Sequence, residues 1–264
     1  MKRITAITCW SLATTFMTGC TFDATFPQEA EALGEAESQL VVSNALNPNA
    51  LNPNALSPSA LQLIQDPGSS GDLSRQLLRY TVSCALNPTQ SFSFSWTDAF
   101  GVVHSETYSG LLGLAVGWAN NRLSTSGAEW VSACLASRVN WYGATVIISS
   151  RGPTAHLSTT SEERAGYPAI EGAFFGNLFT STPAIYSCHN LTNVDNSRSQ
   201  QRDCAAGHVN PDGSVSSCGM LQILGSCSDY CSSIDASRGY YPSCFTSSDH
   251  LGTPISAVVT TALP

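Results

Sequence analysis

At 264 residues, 42% of them hydrophobic, the chain is long enough to bury one sizeable core. Its charge is sparse and acidic, with eleven Lys and Arg against nineteen Asp and Glu and a net of −8. The only lysine is Lys2, and every arginine after Arg3 lies from Arg75 onward. Such a chain has no electrostatic route to nucleic-acid phosphates and no basic patch for anionic lipid, so nucleic-acid binding is excluded.

Lys2 and Arg3 form a short positive region ahead of a mildly apolar stretch, residues 4–16. That stretch is too short to span a bilayer, which takes roughly 20 residues. It ends in Phe16, Met17, Thr18, Gly19 and Cys20. These residues resemble the lipobox of bacterial lipoproteins, with Met17 in place of the usual Leu. The resemblance implies a signal peptide over residues 1–19, cleavage before Cys20, and diacylglycerol on its sulfur. Each buried methylene contributes about 0.8 kcal/mol, so two or three acyl chains hold a protein stably at a membrane. Thr21, where an Asp would favour inner-membrane retention in enterobacterial lipoproteins, points to the outer membrane or cell surface. The alternative is an ordinary secretory signal that happens to end in Cys.

Residues 20–71 are expected to be a flexible tether. Between Cys20 and Ser74 there are seven carboxylates and no basic residue. A five-residue unit recurs at Asn44, Asn49 and Asn54, with Pro48, Pro53 and Pro58 closing the three copies. Three copies are too few to bury a core of their own, and the regular prolines favour extended backbone. The other reading is a short linear motif whose spaced leucines a partner recognises.

The folded domain is expected over residues 72–264. Asp72 is placed to cap a helix with Leu73, Leu77, Tyr80 and Cys84 on one face. After Asn87 and Pro88 the period changes to two. Phe92, Phe94 and Trp96 alternate with serines, residues 97–101 turn, and Val103 starts a return strand. Ser126 with Glu129 predicts a capped helix, Ser124 being an alternative cap, whose stripe includes Trp130, Val131, Cys134, Leu135 and Arg138. Gly143 ends it, and residues 144–149 predict a short buried strand. Residues 162–179 are ambiguous, with a helix over 171–178. Residues 184–188, 220–224 and 255–263 predict further short strands among Ser- and Gly-rich loops. The fold class expected is α+β, a single disulfide-stabilised domain of a few helices and short antiparallel strands.

Beyond Cys9 and Cys20 stand Cys84, Cys134, Cys188, Cys204, Cys218, Cys227, Cys231 and Cys244, an even eight. Outside the cytoplasm the default is four disulfides. Cys84 and Cys134 fall on the apolar faces of the two clearest helices and are expected to bridge; the other six crowd into the last third and are expected to pair among themselves. The competing reading is metal: Cys227 and Cys231 have a spacing that zinc knuckles tolerate, and His208 and His250 are near in sequence.

Residues 110–118, 130–138, 149–152 and 171–179 together resemble a group of uncharacterised predicted lipoproteins common in myxobacteria. The resemblance covers most of the domain. It implies the same envelope address and no particular activity.

Motifs for catalysis are missing. There is no Gly-x-Ser-x-Gly elbow, no His-Glu-x-x-His, and no spare thiol once eight cysteines pair. His104 and Glu106 share one strand face, the start of a metal-site pattern, but strand alternation explains them equally. Residues 210–213 form a turn signal and lack the carboxylates of a calcium loop. The best enzymatic case is a pair of acids acting on glycans, drawn from Glu106, Glu129 and Glu171 near Trp118, Trp141 and Tyr142. The expectation is therefore a lipid-anchored binding or structural module of the envelope, with no cofactor, metal or catalytic set assigned. Its ligand would be an unidentified envelope or extracellular component. An extracytoplasmic carboxylate-based hydrolase is the alternative.

Overall fold

The computed structural model describes residues 50–264. The expected signal peptide, Cys20 and residues 20–49 of the expected tether lie outside the described residues. Within the described chain, folded structure begins earlier than the expected start at residue 72. Leu51 is buried, and its amide donates to the carbonyl of Trp118 at 2.7 Å. The last repeat unit leads into helix α1 (Pro58–Gln65), with Pro58 in the first turn and the Ser57 hydroxyl accepting from the Ala60 amide. Proline suits that position because its missing N–H would have no helical acceptor there.

Helix α2 (Ser69–Ala85) follows. Asp72 sits in its first turn, not at its cap, and pairs with Arg75. Arg75 turns inward and donates to the carbonyls of Ile64 and Asp66 at 3.0 and 2.7 Å. Because α1 covers this side of α2, the buried stripe is Ser74, Leu78, Thr81, Val82 and Ala85. The expected stripe through Leu73, Leu77 and Tyr80 is displaced toward solvent, and only Cys84 of that set is fully buried.

The hairpin of β1 (Ser91–Thr97) and β2 (Val103–Ser109) is antiparallel, with Phe92 opposite Tyr108 and Trp96 opposite His104. Its inner face packs Phe92, Phe94 and Tyr108 edge to face, while hydroxyls of Ser93 with Thr107 and Ser95 with Ser105 pair on the outer face. Burial, with the Glu106 charge beside it, pushes the Tyr108 phenol up to about 12. An unfolded tyrosine ionises near pH 10, so the folded state is favoured below about pH 10 and loses that contribution as pH rises toward 12. Titration followed by phenolate absorbance should therefore contain a late phase that Tyr108→Phe removes. Unfolding measured over the same range should show a smaller alkaline loss for that variant. An unchanged late phase would assign it to another tyrosine.

Helix α3 (Thr125–Ser137) is capped by Ser124, whose hydroxyl accepts from the Gly127 amide, so the capping box from Ser126 to Glu129 is not used. α3 packs on a five-stranded sheet ordered β3 (Ser149–Arg151), β9 (Val259–Leu263), β4 (Ala169–Asn177), β5 (Ala184–His189) and β8 (Leu221–Ser226). Neighbouring pairs are antiparallel except β5 with β8, which is parallel. Short helices α4 (Ser161–Gly166), α5 (Val194–Ser199) and α6 (Cys227–Tyr230) and a small β6–β7 ladder (His208–Val209 with Val215–Ser216) complete the fold.

Of residues 171–178, expected as helix, all but Leu178 belong to the central strand β4. The reason is burial on both faces. Phe174 and Leu178 join the core under α3, while Ile170, Ala173 and Phe175 pack into a second cluster containing Cys188, Cys227, Cys231 and Cys244. A strand buried on both sides has no alternation to read. Gly172 is required by contact: a Cβ there would lie 2.1 Å from the Cys188 carbonyl oxygen on β5. The expected strand over 144–149 is also shorter, since ladder pairing starts only at Ser149. Likewise Ile255 makes an isolated bridge to Cys244, and β9 proper begins at Val259.

All eight cysteines among the described residues pair. Cys84 joins Cys134 with Cα atoms 6.0 Å apart, linking α2 to α3 as expected. Cys188–Cys227, Cys204–Cys218 and Cys231–Cys244 are the other bridges. The Cys188 and Cys231 sulfurs lie 3.4 Å apart, so two bridges stack in the second core.

Candidate functional site

The chain leaving α3 turns sharply over residues 139–144. The Asn140 side chain bonds at both ends of this turn, accepting from the Tyr142 amide at 2.8 Å and donating to the Ala144 carbonyl at 3.0 Å. An asparagine bonding to the backbone two residues on mimics a backbone turn and fixes the loop. The turn projects Trp141 and Tyr142 outward, 42% and 47% exposed.

A second segment meets them. The Cys204–Cys218 bridge holds residues 203–208 against the loop. The imidazole of His208 stacks on Trp141 with ring centroids 4.2 Å apart and planes 9° from parallel. The Tyr142 ring meets the same imidazole edge to face at 5.6 Å. Asp203 lies beneath, its side chain 2% exposed. Its Oδ2 is 2.7 Å from His208 Nδ1 and accepts from the Tyr142 hydroxyl at 3.2 Å. Burial, then the Asp203 carboxylate, pushes the Tyr142 phenol up from its ordinary value. Asp203 Oδ1 is buried without a hydrogen-bond partner.

This arrangement holds two exposed aromatic rings in a defined pose. One face of Trp141 is covered by His208, and the His208 tautomer is set by the carboxylate at Nδ1. A His–carboxylate pair is also half of a nucleophile-activating set. Among the described residues, however, no hydroxyl or thiol hydrogen-bonds His208 Nε2.

The acids proposed from sequence are not brought together. Glu171 is 1% exposed and sits at a bulge of β4 between Ile170 and Gly172. Its oxygens accept from Arg202 Nε at 3.2 Å, Arg202 Nη2 at 2.8 Å and the Thr261 hydroxyl at 2.8 Å. Arg202 also donates to the carbonyls of Ser137 and Val139, tying the end of α3 to the sheet. Glu171 is thus a structural anion. Glu106 accepts from the Trp96 indole on the hairpin, and Glu129 lies on α3. His104, its proposed metal partner on β2, faces Asp98 at 2.9 Å instead. Trp118 is buried in the first core, away from the exposed pair. His250 stacks on Phe245, and Asn210 accepts from Gly213 in the turn expected there.

Sequence reasoning singled out Trp141 and Tyr142 but missed Asp203 altogether and saw His208 only as a neighbour of cysteines. The one local signal was Asp203 beside a bridged cysteine, which locates a rigid loop without naming its partner.

A scan against protein-family models, a search of curated proteins and a search of solved structures each found no match to this chain.

Proposed function

We propose that this protein is an exported binding module of the cell envelope, anchored through a lipid on Cys20, that meets its ligand with the Trp141–Tyr142 surface. The observation that carries the reading is the fixed pose of these two half-exposed rings, braced by His208 over a buried Asp203. Exposed aromatics already held in place lose little freedom on binding, and such residues dominate interface energetics. The N-terminal residues 16–20 supply the anchor, and the acidic, lysine-poor composition favours a neutral or cationic ligand surface over a polyanion. The carboxylate-based hydrolase is the weaker reading, because Glu171 is consumed by Arg202 and Thr261.

The test has two arms. Cells fed a clickable fatty acid should label the wild type and not Cys20→Ser. The Cys20→Ser protein, soluble for this purpose, should sediment with purified sacculi or matrix polysaccharide from the producing cells. Trp141→Ala should weaken that retention by about tenfold or more without changing the fold. Equal labelling of Cys20→Ser would remove the anchor, and retention indifferent to Trp141, or no retention on either polymer, would remove the binding surface.

A further inference from the structure

Arg138 caps the C-terminus of helix α3, its amide bonding back to the Leu135 and Ala136 carbonyls. The Arg138 side chain lines a cavity of about 450 Å³, on whose wall Arg202 and Glu163 also lie. Both of those charges are already engaged. Arg202 is committed to Glu171 and to two backbone carbonyls. Glu163 accepts from the Ser149 hydroxyl at 2.8 Å, and its charge acts on Arg151.

Arg138 differs. Its Nη1 donates to the Ser83 hydroxyl at 2.9 Å, and among the described residues no carboxylate pairs with it. Nε and Nη2 therefore present donors to the cavity without a protein acceptor. The carbonyl end of α3 offsets part of the charge. It does not supply the planar pair of oxygens that a guanidinium fork matches. Burial draws Arg138 below its ordinary value, yet a guanidinium stays charged at any physiological pH. A partly buried guanidinium with two donors and no protein acceptor offers a place for an anion from outside the chain.

The rest of the wall mixes apolar and polar groups, with Leu112, Val146, Ile148 and Leu157 beside Asn140 and His156. A bare inorganic anion would leave the apolar part of that wall against water. We propose that this cavity is a binding site for a small organic acid, its carboxylate held by Arg138 and its apolar body packed on Leu112, Val146, Ile148 and Leu157. The volume falls in the range of small-molecule sites, roughly 300–1,000 Å³. The site shares Asn140 and Ala144 with the turn that carries Trp141 and Tyr142, but neither aromatic residue lines it.

Calorimetry on the Cys20→Ser protein with hexanoate, hexanol and inorganic phosphate as probes tests the assignment. Hexanoate should bind, with hexanol and phosphate each weaker by about tenfold or more, since one probe lacks the charge and the other lacks the apolar body. Arg138→Gln should lose about tenfold or more for hexanoate, and Arg138→Lys should fall between, keeping charge without the fork. Val146→Trp fills the cavity from another wall and should abolish binding, which covers the case in which Arg138→Gln does not fold. Trp141→Ala should leave hexanoate binding unchanged, so failure of the aromatic reading is separable from failure of this one. Hexanol or phosphate binding as tightly as hexanoate overturns the proposal. So does hexanoate affinity unchanged in folded Arg138→Gln or Val146→Trp, or no hexanoate binding by the wild-type cavity.

Discussion

Glu171→Ala is expected to destabilise the domain by about 3–5 kcal/mol, the usual cost of stranding one member of a buried ion pair. Arg202 is 3% exposed and would be left charged, with only backbone carbonyls around it. The loss also frees the Thr261 hydroxyl on β9 and loosens the tie between α3 and the sheet. For a domain of roughly 200 residues this corresponds to a Tm lower by roughly 6–20 °C. Glu171→Gln should cost less, because it keeps acceptors for Arg202 and Thr261 while giving up the charge. The paired change Glu171→Leu with Arg202→Met should cost less than Glu171→Ala, since no buried charge then lacks a partner. Thermal unfolding of the three variants checks the order. A Glu171→Ala protein as stable as wild type would mean that the pair contributes nothing to holding α3 on the sheet.

Replacing Cys84 and Cys134 together with alanine is the second large effect expected. The bridge closes a loop with a sequence separation of 50 between two helices of one core. In the chain-entropy account, opening such a loop frees the unfolded chain and costs about 4 kcal/mol. The predicted Tm decrease is roughly 8–16 °C. Both sulfurs are fully buried among Val82, Ala85, Val131 and Ala133, so two alanines also leave a small cavity, which adds to the loss. Urea unfolding of the double variant, compared with wild type in the absence of reductant, measures it. A change below about 1 kcal/mol would show that packing between α2 and α3 holds without the bridge.

Legibility in the sequence followed how many faces of an element are buried. The hairpin was readable because Phe92 and Phe94 point inward while Ser93 and Ser95 point out. Helix α3 was readable from its cap and stripe, although two serines competed and only contact with the Gly127 amide selected Ser124. β4 was not readable, because Phe174 and Phe175 enter opposite cores and no period survives. The early start of the fold was hidden for a related reason. The Asn-Pro units of residues 49–58 look extended by composition, yet Leu51 and Ile64 find cover against residues far along the chain.

The candidate site divides the same way. Trp141 and Tyr142 stand out as adjacent aromatics, but their brace comes from Asp203, 61 residues on from Tyr142. Glu171 looked like a candidate acid, and its role was decided by Arg202 and Thr261, 31 and 90 residues away. Composition by itself determined the acidic, lysine-poor character, the sequence shows an even set of eight cysteines from Cys84 onward, and helical phase brought Cys84 and Cys134 to inward faces. Those properties are local or additive, so a linear reading recovers them. Only the tertiary structure decided which carboxylate is structural, which rings are exposed and that Arg138 lines a cavity. Each of those depends on groups meeting across closed loops, and on which of them water is kept from reaching.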